Sequence, residues 1–185
     1  ASSAVPFRVI YSDRFLDHDT GLGHPENAGR LTAVVAALKA HPIAPYLEWV
    51  EPCDRNPLPH INTVHDPAYV RALQRIAERG GGRLDSDTPV SAASYDIALL
   101  AVAAWLDGVD HVLETDGASG FVLARPPGHH AEYGHGMGFC LLSNAAIAVH
   151  YALTQPDINR VALLARDVHH GNRTPQPVGE HAQTA

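Results

Sequence analysis

Two short stretches carry the residue types that could do chemistry. One is Asp167-Val168-His169, continued by His170-Gly171-Asn172; the other is the adjacent pair His129-His130 inside Arg125-Pro126-Pro127-Gly128-His129-His130. Residues two apart on a strand project to the same side, so Asp167 and His169 set a carboxylate beside an imidazole, half of a metal site. Alone, such a pair reads more readily as a capped strand end with a surface histidine. The histidine pair sits between rigid prolines and glycines, and imidazole, which titrates near neutrality, is the side chain most used to move protons. Joined at one site, the two stretches describe metal-assisted hydrolysis: a cation held by Asp and His activates water, and a nearby imidazole removes its proton.

These side chains need elements to position them. The apolar run Val161-Ala162-Leu163-Leu164 predicts a buried strand that delivers Asp167 and His169 into a loop. Gly120 to Ala124 predicts a strand stopped by Arg125-Pro126-Pro127-Gly128, which launches the histidine loop. Upstream, Phe7 to Tyr11 and Tyr46 to Val50 read as strands. Leu31, Val34, Val35 and Leu38 recur at helical spacing after Asn27, a cap. Asp66-Pro67 opens a second helix that ends at Gly80-Gly81-Gly82, where a loop carrying Asp85 and Asp87 begins. Ser91 is expected to cap a long Ala-rich helix reaching about Leu113, and a further helix covers about Leu142 to Leu153. Strands alternating with helices predict an α/β fold, a parallel sheet with helices on both faces. Ligands of such sheets bind beyond the carboxyl ends of the strands, where the loops 12–26, 125–140 and 165–173 would gather.

Bulk properties narrow the function. The 185 residues, 45% hydrophobic and 18% charged, suit one globular domain or part of a larger one. A formal charge of −7 leaves no basic footprint, so no nucleic-acid partner is expected. Two cysteines, Cys53 and Cys140, are too few for a disulfide framework or a thiolate cluster. With no signal peptide or membrane span in the sequence, no membrane partner and a cytoplasmic location are the expectations.

Arg125-Pro-Pro-Gly-His-His, Met137-Gly-Phe-Cys and Asp167-Val-His-His-Gly-Asn together resemble the zinc-dependent histone deacetylase superfamily, which includes acetylpolyamine amidohydrolases and bacterial acetoin-utilisation proteins. His24-Pro25-Glu26-Asn27 with Arg30, His65-Asp66-Pro67-Ala68-Tyr69 and Leu84-Asp85-Ser86-Asp87-Thr88 occur in the matching order, and the likeness runs from residue 7 to 174. The resemblance implies an arginase/deacetylase-like fold of which this chain is an incomplete N-terminal portion. It implies hydrolysis of an acetyl amide on lysine or a polyamine, with Zn2+ as cofactor. His129 and His130 become the tandem catalytic histidines, and Asp167 and His169 two of three zinc ligands. Gly138 and Phe139 line the acyl-lysine tunnel, and Asp85 or Asp87 holds the substrate backbone. Asn172 orients His130, while Arg30 and the Arg125 turn border an inner acetate cavity. His170 and Cys140 are structural.

Departures from the pattern cluster near the chain's end. Ala165 and Arg166 stand where the family reads Asp-Trp, so a structural K+ is not expected; Arg173 replaces a usual Gly, and residues 175–185 diverge. The family's third ligand, an aspartate, and its transition-state tyrosine belong to a second half that this sequence lacks. The expectation is one partial deacetylase domain over 1–185, hydrolytic in its complete form. The alternative is a truncated or frameshifted non-catalytic remnant that binds metal or acyl-lysine weakly. An arginase-type dimetal site is disfavoured because Gly171 occupies the position of a needed carboxylate. An unpaired sheet edge would favour self-association.

Overall fold

The structure, a computed structural model, describes residues 6–168. His169, His170, Asn172, Arg173 and the divergent tail lie outside the described residues. In chain order the elements are β1 (Phe7–Tyr11), α1 (Ala28–Ala40), β2 (Leu47–Val50), α2 (Leu58–Ile61), α3 (Pro67–Glu78), β3 (Gly81–Arg83), β4 (Pro89–Ser91), α4 (Ser94–Glu114), β5 (Gly120–Leu123) and α5 (Asn144–Leu153). β1 lies between β2 and β5, parallel to both, with Val9 opposite Trp49 on one side and Phe121 on the other. Val9 and Ile10 point to opposite faces yet are each 1% exposed, because helices cover both. α4 lies on the Ile10 face, where Gly108 approaches Val122 so closely that an added Cβ would stand 3.1 Å from its methyl group. On the Val9 face, Leu38 of α1 meets Phe7, Leu47 and Phe121 around an open apolar groove of about 400 Å3.

α4 is alanine-rich because it packs on two sides at once. Ile97, Ala101 and Ala104 join the sheet core with Val9, Ile10, Leu31 and Val35. Ala98, Val102 and Leu106 join a second core with Leu73, Leu142 and Ile147 of α3 and α5 and the segment before it. Small side chains let the neighbouring elements come close, and burial on both sides removes the polar face of an ordinary surface helix. The segment after β2 is tied to α4 and α5 by Arg55, which reaches Asp107 at 3.1 Å, Asp110 at 2.6 Å and the Tyr151 hydroxyl at 3.2 Å.

Most expected elements form, with three corrections. Gly81 and Gly82 do not open a loop: they form β3, which pairs antiparallel with β4, Gly81 opposite Ser91. Gly81 has φ +121°, and a Cβ there would collide with the Val90 carbonyl, so only glycine permits this approach. Ser91 ends β4 rather than capping α4; the helix starts at Ser94, whose hydroxyl accepts from the Ser91 amide at 2.7 Å. Most consequential, Val161 to Leu164 form no strand. The segment from Val161 to Val168 is exposed throughout, Leu164 at 83% and Val168 at 97%. An apolar run becomes a strand only beside a neighbour that pairs with it, and among the described residues no strand edge receives this one.

Leu106 is fully buried among α3 and α5 side chains. Leu106→Ala is expected to lower the unfolding free energy by about 2–5 kcal/mol, through lost burial and the residual cavity, measured by urea denaturation.

Candidate active site

The loop after β5 is built around a buried ion pair. Arg125, 3% exposed, donates from Nε to Glu26 Oε1 at 2.7 Å and from Nη2 to Oε2 at 2.9 Å, while Nη1 donates to the Phe15 carbonyl at 3.1 Å. Glu26 is 2% exposed and lies in the loop after β1, so the planar guanidinium joins the carboxyl ends of two adjacent strands in a bidentate fork. His18, also buried, stands 4.0 Å from Glu26 Oε2 and meets Ser94 Oγ at 2.8 Å. Burial, reinforced by the Arg125 charge, lowers the His18 pKa to about 4 against the pull of Glu26, so the ring is neutral.

Beyond Arg125 the chain turns back over α5. Asn144 Nδ2 donates to the Pro126 carbonyl at 3.4 Å and the Ala145 amide to the Gly128 carbonyl at 3.1 Å. Gly128 lies so near Asn144 that any side chain would collide with it. The two catalytic candidates follow. The His129 and His130 amides both donate to the Cys140 sulfur at 3.4 Å, and burial pushes that thiol's pKa up although the amides act against it. Their rings are 4.1 Å apart, inclined at 43°. His129 Nε2 is buried and makes no hydrogen bond. The far end of the loop is held by His65: the ring Nδ1 donates to the Tyr133 carbonyl at 3.3 Å, and Nε2 accepts from the Ser143 amide at 2.9 Å. That tautomer is the neutral one, in keeping with a pKa lowered by burial.

A wall stands beside the histidines. Gly138 has φ +56° and packs on the His130 ring, where a Cβ would lie 2.8 Å from the ring carbon; Phe139 follows at φ +68°. Phe139 donates its amide to Thr88 Oγ1 at 3.1 Å, which joins it to the turn between β3 and β4. In that turn the Asp87 amide donates to Asp85 Oδ1 at 3.0 Å. Burial opposes ionisation of Asp85, but hydrogen bonds from Thr88 and Asp87 outweigh it and hold its carboxyl below the usual range.

Thus His129, His130, Gly138, Phe139 and the Asp85–Asp87 turn form one cluster, while two other candidates stand apart from the expected arrangement. Arg30 has a 63% exposed side chain that reaches Glu26 at 3.5 Å. Asp167 lies in the exposed segment, not at the end of a sheet strand. Among the described residues no group of three or more His, Cys, Asp or Glu side chains is placed to hold a metal ion. No helix among them is long and apolar enough to cross a membrane. Glu26, His18 and Thr88 were not singled out from sequence for these contacts. The available signal was a carboxylate in the His24-Pro25-Glu26 loop beyond one strand and an arginine, Arg125, beyond its neighbour.

A family model described as histone deacetylase domain matches residues 24–183. An uncharacterized protein of Synechocystis is 58% identical over 168 residues, covering 90% of this chain and 55% of that protein. A probable deacetylase of Methanothermobacter thermautotrophicus is 40% identical over 90% of this chain and 48% of its own length. The crystal structure of the HDA15 HD domain superposes with a TM-score of 0.72 at 30% identity, covering 80% of this chain and 43% of that one. The chain spans about half the length of these curated relatives.

Arg125→Met leaves the Glu26 carboxylate buried beside the more distant Arg30, and is expected to cost about 3–5 kcal/mol in urea denaturation, part of it recovered by adding Glu26→Gln. A second expectation concerns pH. The His18 pKa is lowered in the fold to about 4 from an ordinary 6.5, so the unfolded chain binds a proton that the folded one refuses. The corresponding stability is present above pH 6.5 and is lost as the pH falls toward 4, by at most roughly 3 kcal/mol. Denaturation curves between pH 7 and 4 should show a shallower loss in His18→Gln than in wild type.

Proposed function

Because the chain belongs to the histone deacetylase family, we propose that it supplies the histidine pair and the acyl-binding wall of an amidohydrolase that cleaves acetyl groups from lysine or a polyamine. The observation that carries this is the close, tilted pairing of the adjacent His129 and His130 rings, centroids 4.1 Å apart, with His130 packed on Gly138 beside Phe139. A flat, glycine-floored wall admits a slender acyl chain and a planar amide, and bulkier floor residues would push into the imidazole. The buried, unbonded Nε2 of His129 is a site at which a water or substrate proton can be held. The neutral His65 bonds and the two amide bonds to Cys140 fix the loop, so the rings are held in place before a substrate arrives.

Zinc, which the family resemblance implies, would polarise the amide carbonyl and activate water. The described residues do not fit that ion. A catalytic zinc takes three protein ligands and one open position, whereas Asp167 sits on an exposed segment and the described residues gather no ligand cluster. What this chain contributes is proton handling by the histidines and binding by the wall. The same exposed segment favours a second reading, a chain that binds acetylated amines without turning them over.

The test is hydrolysis of an acetyl-lysine peptide and of an acetylpolyamine by the 185-residue chain with added zinc, alongside its metal content. The expected result for the enzyme is turnover that falls about 10²–10⁴-fold in His129→Ala. Peptide binding without turnover identifies the binding-only chain, and neither binding nor turnover overturns both readings.

A further inference from the structure

The wall and the hairpin turn belong to elements far apart in sequence, and a third loop bridges them. His24, half-buried in the loop after β1, stands 2.9 Å from the Asp87 carbonyl through Nε2. A carbonyl only accepts, so Nε2 carries a hydrogen whichever proton state Nδ1 takes. Nδ1 is itself held locally by the Glu26 backbone, 2.9 Å from its carbonyl and 3.1 Å from its amide, which fixes the ring to the residue that pairs with Arg125. The ring also lies edge-on to Phe139, centroids 4.8 Å apart at 74°. One imidazole therefore touches the turn through a hydrogen bond and the wall through an aromatic contact, and its base is locked to the buried ion pair.

From this we infer that His24 is a positioning residue that clasps the Asp85–Thr88 turn against Phe139 and so sets the width of the acyl-amide entrance. The inference deepens the deacetylase reading and rests on it for the identity of the ligand, but the clasp is defined by contacts within this chain. Thr88 alone does not fix the turn. Its hydroxyl accepts from the Phe139 amide at 3.1 Å while facing Asp87 Oδ1 at 3.3 Å, leaving the Asp87 carbonyl to His24. The ring reaches out from the first strand's loop, so the entrance, the histidine loop and the Arg125–Glu26 pair form one mechanical unit. Phe139, in a left-handed backbone conformation that phenylalanine rarely adopts, is held there partly by this contact.

Amide hydrogen exchange on the 185-residue chain tests the clasp without any need for activity. In His24→Ala, exchange at Leu84, Asp87 and Phe139 should speed up about tenfold, the amides of α4 staying unchanged, because a hydrogen bond and a ring contact are lost. His24→Gln, which keeps a donor for the Asp87 carbonyl, should return exchange close to wild type. His24→Phe, which keeps only the ring, should not. Binding of an acetyl-lysine peptide, followed by calorimetry, should weaken about tenfold in His24→Ala and recover in His24→Gln. Unchanged exchange at those three amides overturns the clasp. Faster exchange with unchanged peptide affinity overturns its role at the entrance. A wild-type chain that binds no acetylated peptide overturns the deacetylase reading instead, and the exchange data then decide the clasp alone.

Discussion

The Arg125–Glu26 pair is the constraint on which the site rests. Two charged groups, each nearly withdrawn from water, are costly to bury unless they satisfy one another completely, and here a bidentate fork and the Phe15 carbonyl occupy all three arms of the guanidinium. The cost of burial makes the geometry intolerant of slack. Neither the loop after β1 nor the loop after β5 can drift without leaving a charge unpartnered in a dry interior. The histidine pair begins four residues past this anchor, and the intervening prolines and Gly128 leave little freedom to lose its registration.

Around that anchor the loop is fixed by groups that carry no net charge. Neutral His65 uses both ring nitrogens on backbone partners, and a buried thiol receives two consecutive amides. Such contacts hold the loop without placing a formal charge beside His129 and His130. Neutral His18 behaves differently because it borders the ion pair. The positive guanidinium and the lack of water both resist its protonation, so a pH low enough to protonate it strains the anchor.

Much of the architecture was legible because it is written in local patterns. The parallel sheet, the Asp66-Pro67 start of α3 and the apolar α4 follow from period and capping alone, and the residues of the wall and the histidine pair were visible as motifs. What was not legible depends on distant partners. Gly81-Gly82 looks like a break, yet becomes a strand because a glycine backbone can approach Val90 where a side chain cannot. Val161 to Leu164 looks like a strand and is none, because hydrogen bonding to a neighbour lies outside any local pattern. The link from Glu26 to Arg125 spans 99 positions, and a carboxylate in one loop with an arginine in the other does not by itself announce their pairing. The family resemblance supplied the chemistry of the site, while the placement of Asp167 on an exposed segment is a matter only three-dimensional packing decides.

The sulfur that receives the two histidine amides has a further use. Cys140 is fully buried and Cys53 is exposed, and the chain has no other cysteine. An alkylating reagent meets Cys53 at once but reaches Cys140 only when the histidine loop lifts away from it. The ratio of the two labelling rates is then a clock for loop opening, internal to the molecule and readable without any substrate. A ligand that seats against the histidines slows that clock, so an occupant of the site becomes detectable through a residue it never touches.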